Sequence, residues 1–208
     1  MSSNTLDAGQ DDFKQDTLTG TAIVESFDDD RAWDAVSGLW AINNGSYEQG
    51  DCNDVDATSQ LIAGRPFADV RITTHFEVSQ LCVGSHSQVM LLAHVYALVA
   101  TGCNARYLVC AVDFGNQSLY AASLSNECVT YSLARSGLAA PDAFRVGDTL
   151  ELVATVRGST ISCSVSGGTL SNTYTVAYTD GAFSAPGGVG LATYNVPVIF
   201  DDLIVEPL

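Results

Sequence analysis

Positive charge is nearly missing from this 208-residue chain: 8 Lys and Arg stand against 24 Asp and Glu, a net charge of -16. A phosphate backbone needs cationic partners, so no nucleic acid is expected as a partner. Docking on an anionic membrane surface is disfavoured for the same reason. Long apolar runs are also missing. The longest, VMLLAHVYALVA, falls short of the roughly 20 residues that span a bilayer, so no membrane insertion is expected. No CxxC pair and no finger-like His spacing occur, which argues against a zinc site. No segment keeps an i, i+3, i+4 apolar pattern for three turns, and no repeat of 20–50 residues is found.

What remains points to strands. Hydrophobic residues make up 47% of the chain and charged ones 15%, enough for one large core at a length that fits a single all-β domain. Residues 1–20, MSSNTLDAGQDDFKQDTLTG, are polar and acidic, and read as a flexible arm. Such an arm suits a tether behind an export leader or lipoprotein anchor, which places the domain outside the cell, in a periplasm or on the surface. Six cysteines, Cys52, Cys82, Cys103, Cys110, Cys128 and Cys163, are spread singly. An even, dispersed set reads as disulfides in an oxidising compartment, with fifteen full pairings open; buried free thiols are the alternative.

From TAIVESF onward, short runs rich in Val, Ile, Thr, Tyr and Phe recur between Gly, Asn, Asp and Ser. Strands are expected near 21–27, 38–43, 46–49, 57–63, 69–79, 88–98, 106–114, 117–124, 128–134, 148–156, 160–165, 173–178, 188–194 and 197–205. Gly115-Asn116 and Gly158-Ser159 each read as a two-residue hairpin loop, while DDDRAWDAV and DAFRVGD could each hold one helical turn. Many short antiparallel strands joined by tight turns mean two packed sheets in residues 21–208. In VMLLAHVYAL, Val89, Leu91, Ala93 and Val95 share one face, and Met90, Leu92, His94 and Tyr96 the other. In RYLVCAVDF, Tyr107 and Asp113 lie opposite Leu108, Cys110 and Val112. One face of each strand must be intersheet core. The other, carrying His94, Tyr96, Tyr107 and Asp113, would line a shallow groove and form the candidate ligand site.

The order of these signals resembles the concanavalin A-like lectin and glucanase superfamily, with its laminin-G-like jelly rolls. ESFDDDRAWDAVSGLWAINNGSYEQG is similar to its opening, FADVRITTHFEV to its long strand, and VMLLAHVYAL with RYLVCAVDF to its central pair. DTLELVATVRGSTISCSV looks like its strand–Gly–strand hairpin, and GGVGLATYNVPVIFDDLIV like its closing strand. The resemblance covers nearly all of residues 21–208 and implies a jelly-roll β-sandwich of two antiparallel sheets. It also implies a structural calcium ion tying the last strand to the first, with Asp201 as carboxylate ligand, Gly45 giving a carbonyl and Glu25 a carbonyl or carboxylate. Oxygens of this kind suit Ca²⁺. The alternative for the Asp201-Asp202 pair is a solvated edge strand.

Enzymes of the superfamily are matched poorly. The Glu-x-Asp-x-x-Glu strand that sets two carboxylates about 5–5.5 Å apart for retaining glycoside hydrolysis does not occur, and Glu77 stands alone. The Gln-x-His strand of the polysaccharide lyases is missing, although His86 and Gln88 are near. The expectation is therefore a non-catalytic, lectin-like module whose partner is a glycan or cell-surface polysaccharide, with tyrosines stacking on sugar faces. The rivals are a diverged polysaccharide-active enzyme and a surface-layer or filament subunit that self-associates.

Overall fold

The structure is a computed structural model that describes residues 21–28, 32–50, 52, 57–61, 66–82, 86–98, 105–125 and 133–208. In chain order the strands are β1 Ile23–Glu25, β2 Trp33–Ser37, β3 Trp40–Asn43, β4 Ser46–Gln49, β5 Ala57–Leu61, β6 Val70–Val78, β7 Gln88–Ala97 and β8 Arg106–Asp113. They continue as β9 Ser118–Leu124, β10 Leu133–Gly137, β11 Thr149–Arg157, β12 Thr160–Gly167, β13 Tyr174–Thr179, β14 Gly188–Tyr194 and β15 Val198–Pro207. A 3₁₀ turn, Gly181–Phe183, precedes β14. No described helix is long and apolar enough to cross a membrane.

Two antiparallel sheets form. Sheet A runs β13-β12-β11-β6-β15-β4-β3, with β1 also paired to β15; sheet B runs β10-β9-β8-β7-β14-β5-β2. The chain thus closes on itself, since the final strand lies beside the first: Ile23 is opposite Val205 and Glu25 opposite Leu203. Alternation explains the core. On β6, Val70, Ile72, Phe76 and Val78 are buried, and Arg71 between them is exposed. Thr74 is the one polar residue in that inward row, and its hydroxyl donates to the Asp201 carbonyl at 2.9 Å. On sheet B the inward set includes Val89, Leu91, Leu108, Cys110, Leu119 and Leu191.

Two tight turns form, and the second is one of the two hairpin loops expected from the sequence. Asn43 pairs with Ser46 across Asn44-Gly45, both at positive φ (52° and 84°), as a type I′ turn requires. Arg157 pairs with Thr160 across Gly158-Ser159.

Other segments differ from the sequence expectation. In DDDRAWDAV the residues from Trp33 on belong to β2, because Trp33 pairs opposite Leu61 and is buried, sheet pairing outweighing local preference; Asp29, Asp30 and Arg31 lie outside the described residues. In DAFRVGD the chain makes a turn closed by the Asp148 N–H on the Arg145 carbonyl. The β8–β9 loop is four residues, not two, since Asp113 and Ser118 are the last pair. Phe114 leaves the strand to pack against Phe76 and Phe144. The strand expected at 128–134 is observed from Leu133, its earlier part lying outside the described residues, as do residues 1–20.

Of the cysteines, Cys52 and Cys82 form a disulfide, while Cys110 and Cys163 are buried thiols. Cys103 and Cys128 lie outside the described residues.

Candidate functional site

The outer face of sheet B carries a second apolar layer. Residues alternating with the core set, among them Met90, Leu92, Val109, Ala111 and Tyr120, cluster there, with Tyr107 and Tyr194 packed against them. Strand register shows why this face is hollow. One row across the sheet reads Ala192, Met90, Ala111, Tyr120, Arg135. Alanines keep the floor low, and the larger neighbours raise the walls. A cavity of ≈ 300 Å³ results. Tyr107, Tyr120 and Tyr194 give it flat faces, Met90, Val109 and Leu133 make it apolar, and His86, Gln88 and Arg135 supply polar groups.

One end of the groove is polar and tightly ordered. Asp113, fully buried at the end of β8, accepts from the Asn116 N–H at 2.9 Å and the Asn116 Nδ2 at 2.7 Å. Gln88 Nε2 donates to its Oδ2 at 3.2 Å. Tyr120 donates its hydroxyl to Gln88 Oε1 at 2.8 Å, which fixes the amide orientation: oxygen toward Tyr120, nitrogen toward Asp113. Asn116 also donates to His86 Nδ1 at 3.1 Å, so in this arrangement the imidazole carries its proton on Nε2. His86 and Arg135 stand 3.8 and 4.0 Å from Asp113 Oδ2, and the Arg135 guanidinium lies over the Tyr120 ring. A buried carboxylate with three N–H donors and the Arg135 guanidinium nearby is well compensated. Its effect is to hold Gln88, His86 and Asn116 in place.

Of the ligand residues read from the sequence, Tyr107 lines the groove and Asp113 braces its polar end. The structure does not bring His94 and Tyr96 to them. Pairing of β7 with β8 breaks between Ala93 and Ala97, and His94 takes φ 48°. That irregularity turns the next side chains over: Val95 joins the outer cluster, while Tyr96 packs against the core. His94 is fully buried, its Nδ1 2.8 Å from the Phe183 carbonyl and its Nε2 2.8 Å from the Ala68 carbonyl. Tyr96 donates to the Ala185 carbonyl under the Arg106 guanidinium, 4.8 Å from its ring centre. Burial pushes the Tyr96 hydroxyl above its ordinary range, with Arg106 pulling the other way. This cluster anchors residues 181–187 at the Arg106 end of β8, about 23 Å by strand rise from Asp113.

The acidic pair on the last strand is a β-bulge. Register shifts between Asp201 and Ile204, Asp202 takes φ 50°, and its N–H is accepted by Asp201 Oδ1 at 2.9 Å. An extra residue at a bulge leaves both acids exposed. Gly45 sits close by the end of β1: a Cβ there would be 3.6 Å from the Ser26 carbonyl. Alternation along β1 puts the Glu25 side chain on the same side as Ile23, which packs against the core, opposite the exposed Asp201. Among the described residues no group of three or more His, Cys, Asp or Glu could hold a metal ion.

The sequence reading did not assign Gln88, Tyr120, Tyr194 and Arg135 to one site. The first two carry a legible signal, being alternate positions on strands next to Tyr107. Arg135 does not, because it falls one residue past the end of the strand expected at 128–134.

No protein-family model matches the chain, and no curated protein matches it in sequence. Solved structures do match in shape. A carbohydrate-binding module, CBM66 from Bacillus subtilis, superposes with a TM-score of 0.66 at 15% identity, over 84% of this chain and 95% of that one. Winged bean acidic lectin, complexed with methyl-α-D-galactose, gives 0.64 at 10% identity, covering 90% and 98%. The exoplasmic/lumenal domain of VIP36 bound to Ca²⁺ and Man3GlcNAc gives 0.65 at 11%, covering 90% and 88%. The chain has the concanavalin A-like jelly-roll fold.

Proposed function

We propose that the chain is a glycan-binding module of an exported or surface-attached protein, acting without catalysis through the outer face of sheet B. The observation that carries this is the tyrosine-faced groove ending in the Asp113–Gln88–Tyr120 network. Tyrosine rings take the apolar faces of sugars, and pre-oriented amide, imidazole and guanidinium groups take hydroxyls. Three of the similar structures support the reading: a carbohydrate-binding module, a lectin complexed with a galactoside and the VIP36 domain bound to Man3GlcNAc. Two-carboxylate catalysis has little support: Asp113 is the one carboxylate at the groove among the described residues, and its oxygens are already hydrogen-bonded. A glycan array tests the proposal. Binding by the native chain that is lost in Tyr107→Ala supports it, and turnover of a polysaccharide panel would replace it with the enzyme reading.

The same reading carries a structural Ca²⁺ where β1, the Asn44-Gly45 turn and β15 meet. The donors present are of the kind Ca²⁺ takes: the Asp201 carboxylate, the Gly45 carbonyl and the Glu25 carbonyl, the Glu25 side chain being on the other face. The ion would tie the two ends of the domain together. Its test is a rise in Tm with Ca²⁺ that chelator reverses and Asp201→Asn abolishes.

A further inference from the structure

We propose a second saccharide site, at the open edge of the sandwich where β2 of sheet B faces β3 of sheet A. A cavity of ≈ 510 Å³ lies there, lined by Trp33, Trp40, Tyr47 and Ile42, with Asp28 at its rim. Among the described residues it shares no lining residue with the outer groove of sheet B, and it stands or falls separately from it.

Three observations define what it takes. Trp33 is 6% exposed, yet its Nε1–H has no hydrogen-bond partner among the described residues. Trp40, beside it, donates its own Nε1–H to the Ser37 carbonyl at 2.8 Å. An unpaired buried donor is uncommon and costly, and an oxygen acceptor entering the cavity would relieve it. The second observation is ring geometry. Tyr47 lies 5.1 Å from Trp33 at 34° and 4.8 Å from Trp40 at 25°. Rings this close to parallel pack on one another, with Tyr47 only 3% exposed, so they close the cavity with an apolar wall rather than the box of crossed rings that encloses a quaternary ammonium ion. The third is Asp28, whose Oδ2 accepts the Ser26 hydroxyl at 2.7 Å. A carboxylate at the rim of a chain of net charge -16 repels acids and accepts from hydroxyls. A neutral sugar ring meets all three conditions: an apolar side for the aromatic wall, an oxygen for Trp33, hydroxyls for Asp28.

The chain has two tryptophans, and both line this cavity, whereas the sheet B groove is faced by tyrosines. Tryptophan emission therefore reports the edge site alone. The experiment titrates the whole chain with the methyl glycosides of glucose, galactose and mannose and with maltose, lactose and mannobiose. The expected result is a saturable emission change with at least one of these probes at concentrations up to about 10 mM, above the millimolar range of weak single-site binding. Trp33→Phe keeps the ring packing and removes the donor, with Trp40 still reporting. Its affinity for the responding probe should fall about tenfold, while Tyr107→Ala leaves the response unchanged. No emission change with any probe, or equal affinity in Trp33→Phe, overturns the proposal and leaves the sheet B groove untouched. Should Trp33→Phe not fold, Asp28→Asn carries the test: a several-fold loss supports the site, and native affinity overturns it.

Discussion

Gln88 and Asp113 stand opposite each other across β7 and β8, joined by an Nε2–Oδ2 hydrogen bond of 3.2 Å, and that pair turns an apolar sheet face into one with an oriented polar end. Removing the acid leaves three N–H donors facing an empty space. Asp113→Ala should therefore destabilise the chain by about 2–4 kcal/mol. Thermal unfolding measures it. Tyr120→Phe is the milder partner experiment. It deletes the hydroxyl that holds Gln88 Oε1 and should cost about 0.5–1.5 kcal/mol, with weaker glycan binding and an unchanged ring face.

His94 and Tyr107, both candidates from the sequence, should separate cleanly. His94→Leu leaves the Phe183 and Ala68 carbonyls without their buried partner, and should cost about 2–4 kcal/mol. Glycan affinity of whatever remains folded should be native. Tyr107→Ala should do the reverse, with lost affinity and a Tm within a few degrees of the parent. Calorimetry with an array-selected glycan, run beside thermal melts, distinguishes the two patterns.

The cysteines give a redox prediction. The Cys52–Cys82 bond closes a separation of 30 residues, so its reduction should lower stability by about 3–4 kcal/mol on the chain-entropy account. Cys163 behaves differently. Burial, reinforced by Cys110, pushes its thiol well above the ordinary range, so it stays protonated and unreactive in the folded chain. Peptide mapping after alkylation should find Cys110 and Cys163 unmodified in native protein and labelled after unfolding. Labelling in native protein would contradict the buried placement.

Asp142 and Tyr174 set a pH dependence. The Asp142 carboxylate accepts from the Ser171 hydroxyl at 2.7 Å and the Tyr174 hydroxyl at 2.8 Å. These bonds, Ser171 first, hold it below the usual carboxylate range. A depressed folded pKa stabilises at and above the ordinary carboxylate range, and that contribution is lost as pH falls through the folded value. Tyr174 is raised, chiefly by the bond to Asp142. Its contribution is present below the ordinary tyrosine range and disappears as pH climbs through the folded value. Asp142→Ala should therefore flatten the Tm-versus-pH curve at both ends, leaving the neutral region least dependent on pH.

Strand identity and layering were legible because alternation in runs such as VRITTHFEV survives folding intact: Val70, Ile72, Phe76 and Val78 are the buried set. The placement of Tyr107 and Asp113 on one face of β8 was legible for the same reason. His94 and Tyr96 were misplaced on the groove face by a bulge that no local residue announces. It arises where Gly187 packs directly on the His94 backbone, a Cβ there falling 2.6 Å from His94 Cα. The bulge at Asp201-Asp202 had a visible signature, a doubled acid in an apolar strand, but alternation alone reads it as two opposite faces. Trp33 was hidden by its surroundings. Acidic neighbours suggest a loop or a helical turn, and the pairing that makes a strand of it comes from β5, over twenty residues away.

The most direct measurement is amide chemical-shift mapping of the labelled chain with an oligosaccharide selected on the array. The account predicts shifts centred on Gln88, Tyr107, Tyr120 and Arg135, on the outer face of sheet B. Shifts confined to the opposite sheet, around His75 and Thr155, or no saturable shift with any glycan, would contradict it.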